Sequence, residues 1–404
     1  MKKSDSSGCG GCLFEILGEL AVYAIFFLVG GFAMLVVGFL PEDFDVETVA
    51  AVGGIIITVL IFAIGLPIYL HGKKKRDKMN KIIFDTDIGG DCDDAGALAI
   101  IHEAQNNGDV NLLAVTVSTR DPWAVGCADA INRYYGNIVP IGLCHRAPIG
   151  DPTMEEFLER YGKHIAENYE NEYQLNPTEC SMGCSTKYPE DAVRLYRKLL
   201  AKNKGNKITF VVVGSCLNLA SLIESEGDKI SPLTGLELIE SQVEKIVLMG
   251  GLFAENATAE YNIKIDIPSA KTVFEKCPVP IFVSHFDMGL KIMSGGRLLE
   301  EESESLNEDG LYKNPVAESY KFHVGGKRHS WDPITSFYAI YGTRDVFSDT
   351  RRGRIAVDDE GVTRFYEGEG NHILIDCDDN DIAAAEKMLD AAMCGYINLN
   401  ESET

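Results

Sequence analysis

The chain of 404 residues has few basic side chains for its size. Only 37 lysines and arginines stand against 61 aspartates and glutamates, which gives a formal net charge of −24 at pH 7. A surface with this excess of negative charge repels phosphate backbones, so a nucleic-acid partner is not expected. The sequence also lacks internal repeats, and its length is sufficient for one large domain or two.

Cysteine motifs of the kind that bind zinc or form a disulfide framework are also lacking. The number of cysteines is odd, 11, and most of them stand singly in apolar segments. The two close pairs, Cys9/Cys12 and Cys180/Cys184, have no second pair or histidine cluster to complete a zinc site. Scattered single cysteines are typical of reduced, buried thiols.

Two segments near the N-terminus contain no charged residue at all, namely Leu20 to Leu40 and Val49 to Leu70. Each is about as long as a helix that crosses a hydrocarbon core of roughly 30 Å. The first segment is too long for a signal peptide and lacks its small-residue cleavage site. We therefore predict a membrane anchor over residues 1–80, with two transmembrane helices at about 13–40 and 48–70.

The charges that flank these two segments predict their orientation. Lys2 and Lys3 precede the first segment, and the basic run 73–76 follows the second, whereas the linker 41–47 has four acidic residues and no basic one. The positive-inside rule then places both ends of the hairpin in the cytoplasm. We expect a multi-pass protein of the cell membrane whose downstream domain, residues 81–404, is cytoplasmic.

From residue 81 onward, short apolar runs alternate with amphipathic stretches. This alternation predicts an α/β fold with a doubly wound, mostly parallel, Rossmann-like sheet. The expected strands are Lys81–Asp85, Val110–Ser118, Val139–Leu143, Ile208–Gly214, Val243–Met249 and Val279–His285. The expected helices are Asp94–Gln105, Pro122–Tyr135, Glu190–Ala201, Asn218–Ser225 and Ser269–Lys276. A short antiparallel addition is expected at Arg354–Asp358, Val362–Glu367 and His372–Ile375, followed by a helix near Asp381–Met393.

An aspartate-rich stretch, Phe84 to Ala95 with the sequence FDTDIGGDCDDA, directly follows the first expected strand. Ligands of open parallel sheets bind at the carboxyl ends of the strands. The stretch has five aspartates within ten residues, and so many carboxylates cannot all ionise at close range without a cation. Hard oxygen donors favour calcium or magnesium over zinc, whereas the alternative is a solvated acidic loop.

Three metal-dependent interpretations compete for this stretch. A calcium-binding helix–loop–helix would need glutamate at its twelfth position, where the chain has Gly96. A phosphotransferase with an Asp-x-Asp nucleophile normally has Thr or Val after the second aspartate, where Ile88 stands. The stretch most resembles the signature of the inosine–uridine preferring nucleoside hydrolase family, Asp-x-Asp-Pro-Gly-x-Asp-Asp-Ala, in the variant form DTDxGxDxDDA.

The resemblance implies roles for the aspartates of this stretch. Aligned on Asp-Asp-Ala, it makes Asp87 and Asp94 metal ligands and Asp93 the base that activates water. Because two residues are inserted relative to the usual signature, Asp91 is a rival for either role and is kept among the metal ligands. The family binds Ca²⁺, which the resemblance implies here as well.

Further motifs follow in the family's order. Val213 to Ala220 stands in place of the family segment whose backbone carbonyl completes the metal shell, which implies the carbonyl of Leu217. The other implied residues are Met249 under the ribose, Asn256, Glu260 and Asn262 on the sugar hydroxyls, with Asn262 also in the catalytic set, and Asp332 as the last metal carboxylate. Amide and carboxylate groups suit a polyol because each pairs with two adjacent hydroxyls.

The substrate side departs from the family pattern at two positions. Trp331 replaces the histidine that protonates the leaving base, and His329, two residues away, is one substitute. Asp121 replaces a family asparagine beside Trp123. We predict that Asp121, Trp123 and Trp331 contact the substrate and that stacking on the indoles replaces the missing acid; alternatively, both indoles pack in the core.

The resemblance implies calcium-dependent hydrolysis of the N-glycosidic bond of ribonucleosides or related N-ribosides, which gives ribose and a free base. A cation and a general base would together activate the attacking water. The alternatives are a membrane-tethered nucleoside- or ribose-binding protein without turnover, or the Asp-x-Asp phosphotransferase. A homo-oligomer is compatible with the sequence.

Overall fold

The structure is a computed structural model, which describes residues 79–173, 188–203 and 206–397. The two predicted transmembrane helices lie outside these residues. Among the residues that are described, none of the helices is both long enough and apolar enough to span a membrane.

The strands of the described residues follow one another as a mixture of long and very short segments. They are β1 (Asn80–Thr86), β2 (Val110–Val117), β3 (Ile141–Leu143), β4 (Glu190–Asp191), β5 (Ile208–Val212), β6 (Val243–Met249), β7 (Ile281–Ser284), β8 (Met293–Ser294), β9 (Arg328–His329), β10 (Ser348–Val357), β11 (Thr363–Glu367) and β12 (His372–Asp376).

Fourteen helices are present in the same described ranges. They are α1 (Asp93–Asn107), α2 (Ala124–Tyr134), α3 (Met154–Leu158), α4 (Tyr161–Asn168), α5 (Ala192–Lys202), α6 (Leu217–Ile223), α7 (Gly235–Gln242), α8 (Tyr261–Lys264), α9 (Ile267–Lys276), α10 (Phe286–Gly289), α11 (Gly296–Glu302), α12 (Pro315–His323), α13 (Trp331–Tyr341) and α14 (Ile382–Met393).

Ten strands form one sheet in the order β11-β10-β12-β7-β6-β5-β1-β2-β3-β4. All neighbours from β12 to β4 pair in parallel, and β10 pairs antiparallel with both β12 and β11. Every residue of β5 is buried, as expected for a parallel strand that is covered by helices on both faces. The predicted mostly parallel α/β fold and its antiparallel addition are confirmed.

The extent of some strands differs from the prediction. β10 begins at Ser348, six residues before the expected start, because its first part is exposed and polar and has no apolar alternation. β4, β8 and β9 are two residues long each, which is too short for any periodicity to appear in the sequence.

The centre of the fold is the unit formed by β1 and α1. From Ile82 to Thr86 the strand is buried, and α1 is buried on nearly all sides. Helix α13 packs against α1, so its first turn comes to rest beside the first turn of α1. The carboxyl end of β1 and the N-terminal ends of these two helices thus converge, although they come from opposite ends of the described chain.

Candidate active site

A cavity of about 380 Å³ lies where the carboxyl ends of the central strands meet α1 and α13. Its volume is in the range of small-molecule sites, about 300–1,000 Å³. Nine of the residues that the sequence analysis selected line it: Asp87, Asp91, Asp93, Asp94, Met249, Glu260, Asn262, Trp331 and Asp332.

Three buried carboxylates form the floor of this cavity. Asp93 and Asp94 begin α1, and Asp332 lies in the first turn of α13. One oxygen from each carboxylate lies within 4.8 Å of the other two. Asp94 also accepts a hydrogen bond from the Thr86 hydroxyl, which fixes its orientation against the end of β1.

The electrostatics of this cluster favour a cation. Burial, together with the neighbouring carboxylates, raises the pKa of Asp93, Asp94 and Asp332 well above the usual range. Burial also raises the pKa of the nearby Asp87 to about 7. Within residues 79–173, 188–203 and 206–397, no lysine or arginine forms an ion pair with the three clustered carboxylates. A set of hard oxygen donors with no cationic partner fits a divalent ion such as calcium or magnesium.

Asp91 has different partners from the other aspartates of the stretch. The Nε of Arg328 lies 3.0 Å from both of its carboxylate oxygens, and the Nε2 of His323 lies 3.5 Å from one. The two inserted residues therefore carry Asp91 toward β9 and the end of α12. An arginine thus pairs with this carboxylate, and Asp91 groups with Cys92 and His323 and not with the three carboxylates of the cavity floor. Its place among the metal ligands stays a prediction.

The backbone carbonyl of Leu217, which was expected in the metal shell, has a hydrogen-bond partner within its own helix. Leu217 begins α6, and its carbonyl oxygen accepts a hydrogen bond from the Ser221 hydroxyl at 2.7 Å. A carbonyl in the first turn of a helix points along the axis toward the C-terminus, which is away from a ligand at the N-terminal end. Val213, just beyond β5, lines the cavity instead.

The polar side chains that are expected to bind the sugar hydroxyls are held in place by hydrogen bonds to the backbone. Glu260 caps α8 and accepts hydrogen bonds from the backbone amides of Gly251 at 3.1 Å and Asn262 at 3.0 Å. The Nδ2 of Asn262 donates to the carbonyl of Val213 at 2.7 Å and to the sulfur of Met249 at 3.1 Å. These contacts fix Glu260 and Asn262, at the start of α8, beside Met249 at the end of β6, as a preorganised site requires.

Three other predicted residues do not line the cavity. Asn256 is exposed in the loop after β6. Trp123 packs with Phe157 and Ala166 in a small apolar cluster. Asp121 is buried and accepts a hydrogen bond from the backbone amide of Trp123 at 2.9 Å, and burial raises its pKa to about 7.

Trp331 belongs to an aromatic wall of the cavity. Its ring stacks on Phe286 with a centroid separation of 5.2 Å and an interplanar angle of 19°, and its Nε1 donates to the Phe286 carbonyl at 3.0 Å. The guanidinium of Arg328 lies 5.0 Å from the indole centroid. His329 contacts the ring at 5.2 Å but does not line the cavity. The wall therefore presents flat apolar surface and an arginine, with no histidine at the predicted position of the acid.

Sequence reasoning gave no role to several residues that line the cavity. They are Gly90, Arg160, Val213, Tyr261, Phe286, His323 and Arg328. Phe286 stands two residues after the end of β7, so its position close to a strand end was a usable signal. Arg160 and His323 come from helical segments between strands, and no sequence pattern distinguishes them from surface residues.

Comparisons with known proteins agree with this geometry. The family described as inosine-uridine preferring nucleoside hydrolase matches residues 82–385. No curated protein sequence matches the chain.

Three solved structures are similar to it. The inosine-uridine preferring nucleoside hydrolase from Bacillus anthracis has a TM-score of 0.55 at 17% identity over 78% of this chain and 100% of its own. The type III effector protein XopQ, complexed with adenosine diphosphate ribose, has a TM-score of 0.56 at 15% identity over 82% and 98%. An inosine-guanosine nucleoside hydrolase has a TM-score of 0.54 at 16% identity over 79% and 98%. At these identities the likeness shows the fold alone.

Proposed function

The chain belongs to the inosine-uridine preferring nucleoside hydrolase family and is thus an N-glycosyl hydrolase of nucleosides, and from this premise we propose that it cleaves ribonucleosides with the help of calcium. The products are ribose and a free nucleobase. A phosphotransferase, which the Asp-x-Asp pattern allowed, has no support from this family membership.

One observation carries the proposal. Asp93, Asp94 and Asp332 approach within 4.8 Å at the floor of a cavity that is also lined by Glu260 and Asn262. We propose that Asp87, Asp94 and Asp332 would hold the ion. When bound, a calcium ion there would lower the pKa of the attacking water and grip the sugar hydroxyls.

Asp93 is the general base of the proposed reaction. It accepts a hydrogen bond from the backbone amide of Asp332 at 3.1 Å through Oδ2. The bond holds the carboxylate in one orientation, in which it also contacts the side chain of Asp91. As the water oxygen bonds to C1′, Asp93 takes its proton, and the electrons of the C1′–N bond pass to the departing base.

Glu260 and Asn262 position the ribose. Within the described residues, the Asn262 side chain forms its hydrogen bonds through Nδ2 as the donor. Its Oδ1 can therefore accept a hydrogen bond from a sugar hydroxyl. Glu260 is an acceptor fixed by backbone amides, and burial raises its pKa above the usual range. A pair of fixed acceptors orients a polyol without any movement of the protein.

The leaving base lies against the aromatic wall of Phe286 and Trp331. No titrating acid replaces the family histidine in this wall, so the proposal assigns base departure to stacking. Aromatic stacking is worth about 0.5–1.5 kcal/mol beyond surface burial, which alone gives an effect of roughly two- to tenfold. We therefore expect turnover to depend on the intrinsic leaving ability of the base.

Release of free ribose tests the proposal. The purified full-length chain is incubated with inosine, guanosine, uridine, cytidine and adenosine, in excess calcium or in excess EGTA. We expect release from at least one nucleoside in calcium and a loss of at least 100-fold in EGTA. Asp309→Asn, which changes an exposed loop aspartate, is the matched control for Asp94→Asn and should leave the rate unchanged. Binding of nucleosides without any ribose release would favour the nucleoside-binding alternative.

We also propose that residues 1–80 anchor this domain in the cell membrane, with the catalytic domain in the cytoplasm. The support is the charge-free segments 20–40 and 49–70 and the basic residues that flank them. We also propose that the anchored chain forms a homo-oligomer. Sedimentation of the purified protein measures its oligomeric state.

A further inference from the structure

Arg160 is the one basic residue of the cavity lining without an ion-pair partner in the described part of the chain. It lies immediately before α4, is half-buried, and shares the cavity with Tyr261, with whose hydroxyl it interacts. Its guanidinium lies close against Gly90: a Cβ atom added to this glycine would be only 2.9 Å from the Nη1 of Arg160. Asp87 and Asp121 act on it electrostatically, but neither forms an ion pair with it.

The other two basic residues of the lining are already neutralised. Arg328 and His323 both face Asp91, at 3.0 and 3.5 Å. A half-buried guanidinium without a partner is costly, whereas a planar fork of five donors matches the oxygens of a phosphate. The guanidinium of Arg160 lies over the Phe157 ring, 5.3 Å from its centroid, and lines the cavity with the donors that the Tyr261 hydroxyl does not use.

The topology places Arg160 at the end of the cavity that is opposite the aromatic wall. Phe286 follows β7, which lies three strands from β1 on one side of the sheet. Arg160 precedes α4. The Gly162 amide of this helix donates a hydrogen bond of 3.1 Å to the Gly89 carbonyl, in the loop after β1. Helix α4 also packs on α2, which follows β2, and β2 lies on the side of β1 that is opposite to β7.

We propose that Arg160 forms a subsite for an anionic group on C5′ of the sugar, so that the preferred substrates are N-ribosides that carry a 5′-phosphate. This inference rests on the proposed function, because it uses the placement of the base on the aromatic wall and of the 2′- and 3′-hydroxyls at the carboxylate cluster. C1′ and C4′ flank the ring oxygen, so C5′ lies at the other end of the ring from the base, on the side of Tyr261 and Arg160. In a cavity with this many carboxylates, a phosphate binds only where a cation offsets their repulsion.

Binding of the two sugar products tests the subsite without any turnover. Ribose 5-phosphate and ribose are titrated into the full-length protein in calcium, by calorimetry. A charge-assisted contact of about 1.5–3 kcal/mol corresponds to roughly a 10- to 100-fold difference in Kd. We expect ribose 5-phosphate to bind that much more tightly than ribose, Arg160→Gln to remove the difference, and Arg160→Lys to retain part of it. The matched control is Arg194→Gln, which removes one positive charge from an exposed pair with Glu190.

Turnover supplies the second measurement, as kcat/KM for uridine 5′-monophosphate against uridine and for inosine 5′-monophosphate against inosine. Arg160→Gln should lower kcat/KM for the nucleotides by about 10- to 100-fold and leave that for the nucleosides within about threefold. Equal affinity for the two sugars, or a preference that survives in Arg160→Gln, overturns the subsite even if nucleosides are hydrolysed. Absence of hydrolysis with Arg160-dependent binding of ribose 5-phosphate would instead overturn the proposed function and leave the subsite standing.

Discussion

The backbone amide of Asp332 donates a hydrogen bond of 3.1 Å to the carboxylate of Asp93, across 239 residues of sequence. Asp93 stands at the N-terminus of α1 and Asp332 near that of α13, so the positive ends of two helix dipoles converge on the same carboxylates. Each dipole favours a nearby anion by about 0.3–1 kcal/mol. The bond therefore links the stability of the site to the packing of α13 on α1.

The Asp93→Asn variant distinguishes the role of general base from that of metal ligand. The substitution removes proton abstraction but keeps the acceptor for the Asp332 amide, so we expect kcat to fall by about 10²- to 10⁴-fold while the Kd for calcium changes by less than tenfold. Steady-state kinetics and calcium titration of the same preparation give both quantities.

The matched variant is Asp91→Asn. It weakens the pair with Arg328, so we expect a lower melting temperature but a kcat within about tenfold of the wild type. The opposite result, a catalytic loss for Asp91→Asn and none for Asp93→Asn, would make Asp91 the base.

Removal of calcium should destabilise the protein, because the three buried carboxylates of the cavity floor and the nearby Asp87 then lose the cation that offsets their repulsion. A ligand at 100 times its Kd stabilises the folded state by about 2.7 kcal/mol. We expect EGTA to lower the melting temperature of the wild type and to have no effect on Asp94→Ala, which has lost the site. An equal EGTA effect on both proteins would place the bound calcium elsewhere.

Asp121→Asn should stabilise the protein at high pH. Burial raises the pKa of Asp121 from 3.8 to about 7, so the stability that the carboxyl contributes is complete below pH 3.8 and is lost as the pH rises through 7. The advantage of the asparagine variant should grow across this window by at most about 1.4 kcal/mol per pH unit. Melting temperatures at pH 5 and pH 8 measure it; a constant difference would mean that Asp121 does not titrate there.

Trp331→Ala should distinguish stacking from packing. If the indole holds the departing base, inosine turnover falls by about tenfold or more, whereas p-nitrophenyl riboside, whose leaving group needs no assistance, reacts nearly as before. Trp123→Ala is the control, because that indole packs away from the cavity. An equal loss on both substrates would show that Trp331 serves packing alone.

A reporter enzyme fused after Thr404 tests the membrane orientation. Basic residues flank both charge-free segments, so a reporter that functions only in the cytoplasm should be active. A cysteine introduced by Thr48→Cys, in the linker, should then react with an impermeant reagent added outside the cell. Labelling from the cytoplasmic side alone would reverse the orientation.

The sequence pattern was sufficient to predict the strands whose residues are almost all buried. Buried apolar residues dominate β1 and β5, and β1 ends in Asp85 and Thr86, so both the parallel sheet and the edge that carries the site could be predicted. The strongly polar first half of β10 and the two-residue strands could not, since their pairing depends on neighbours that are distant in the chain.

By itself, the sequence determined the type of chemistry. Five aspartates after a buried strand, with an Asp-Pro pair far downstream, specify oxygen ligands for a hard cation, because carboxylate chemistry is local to each residue. Only the tertiary structure decided which of those aspartates act together. Asp91 is only two residues from Asp93, yet its carboxylate pairs with Arg328, while Asp332 joins Asp93 and Asp94 through the packing of α13 on α1. The identity of a ligand belongs to its residue, but the distance between two ligands is set by long-range packing.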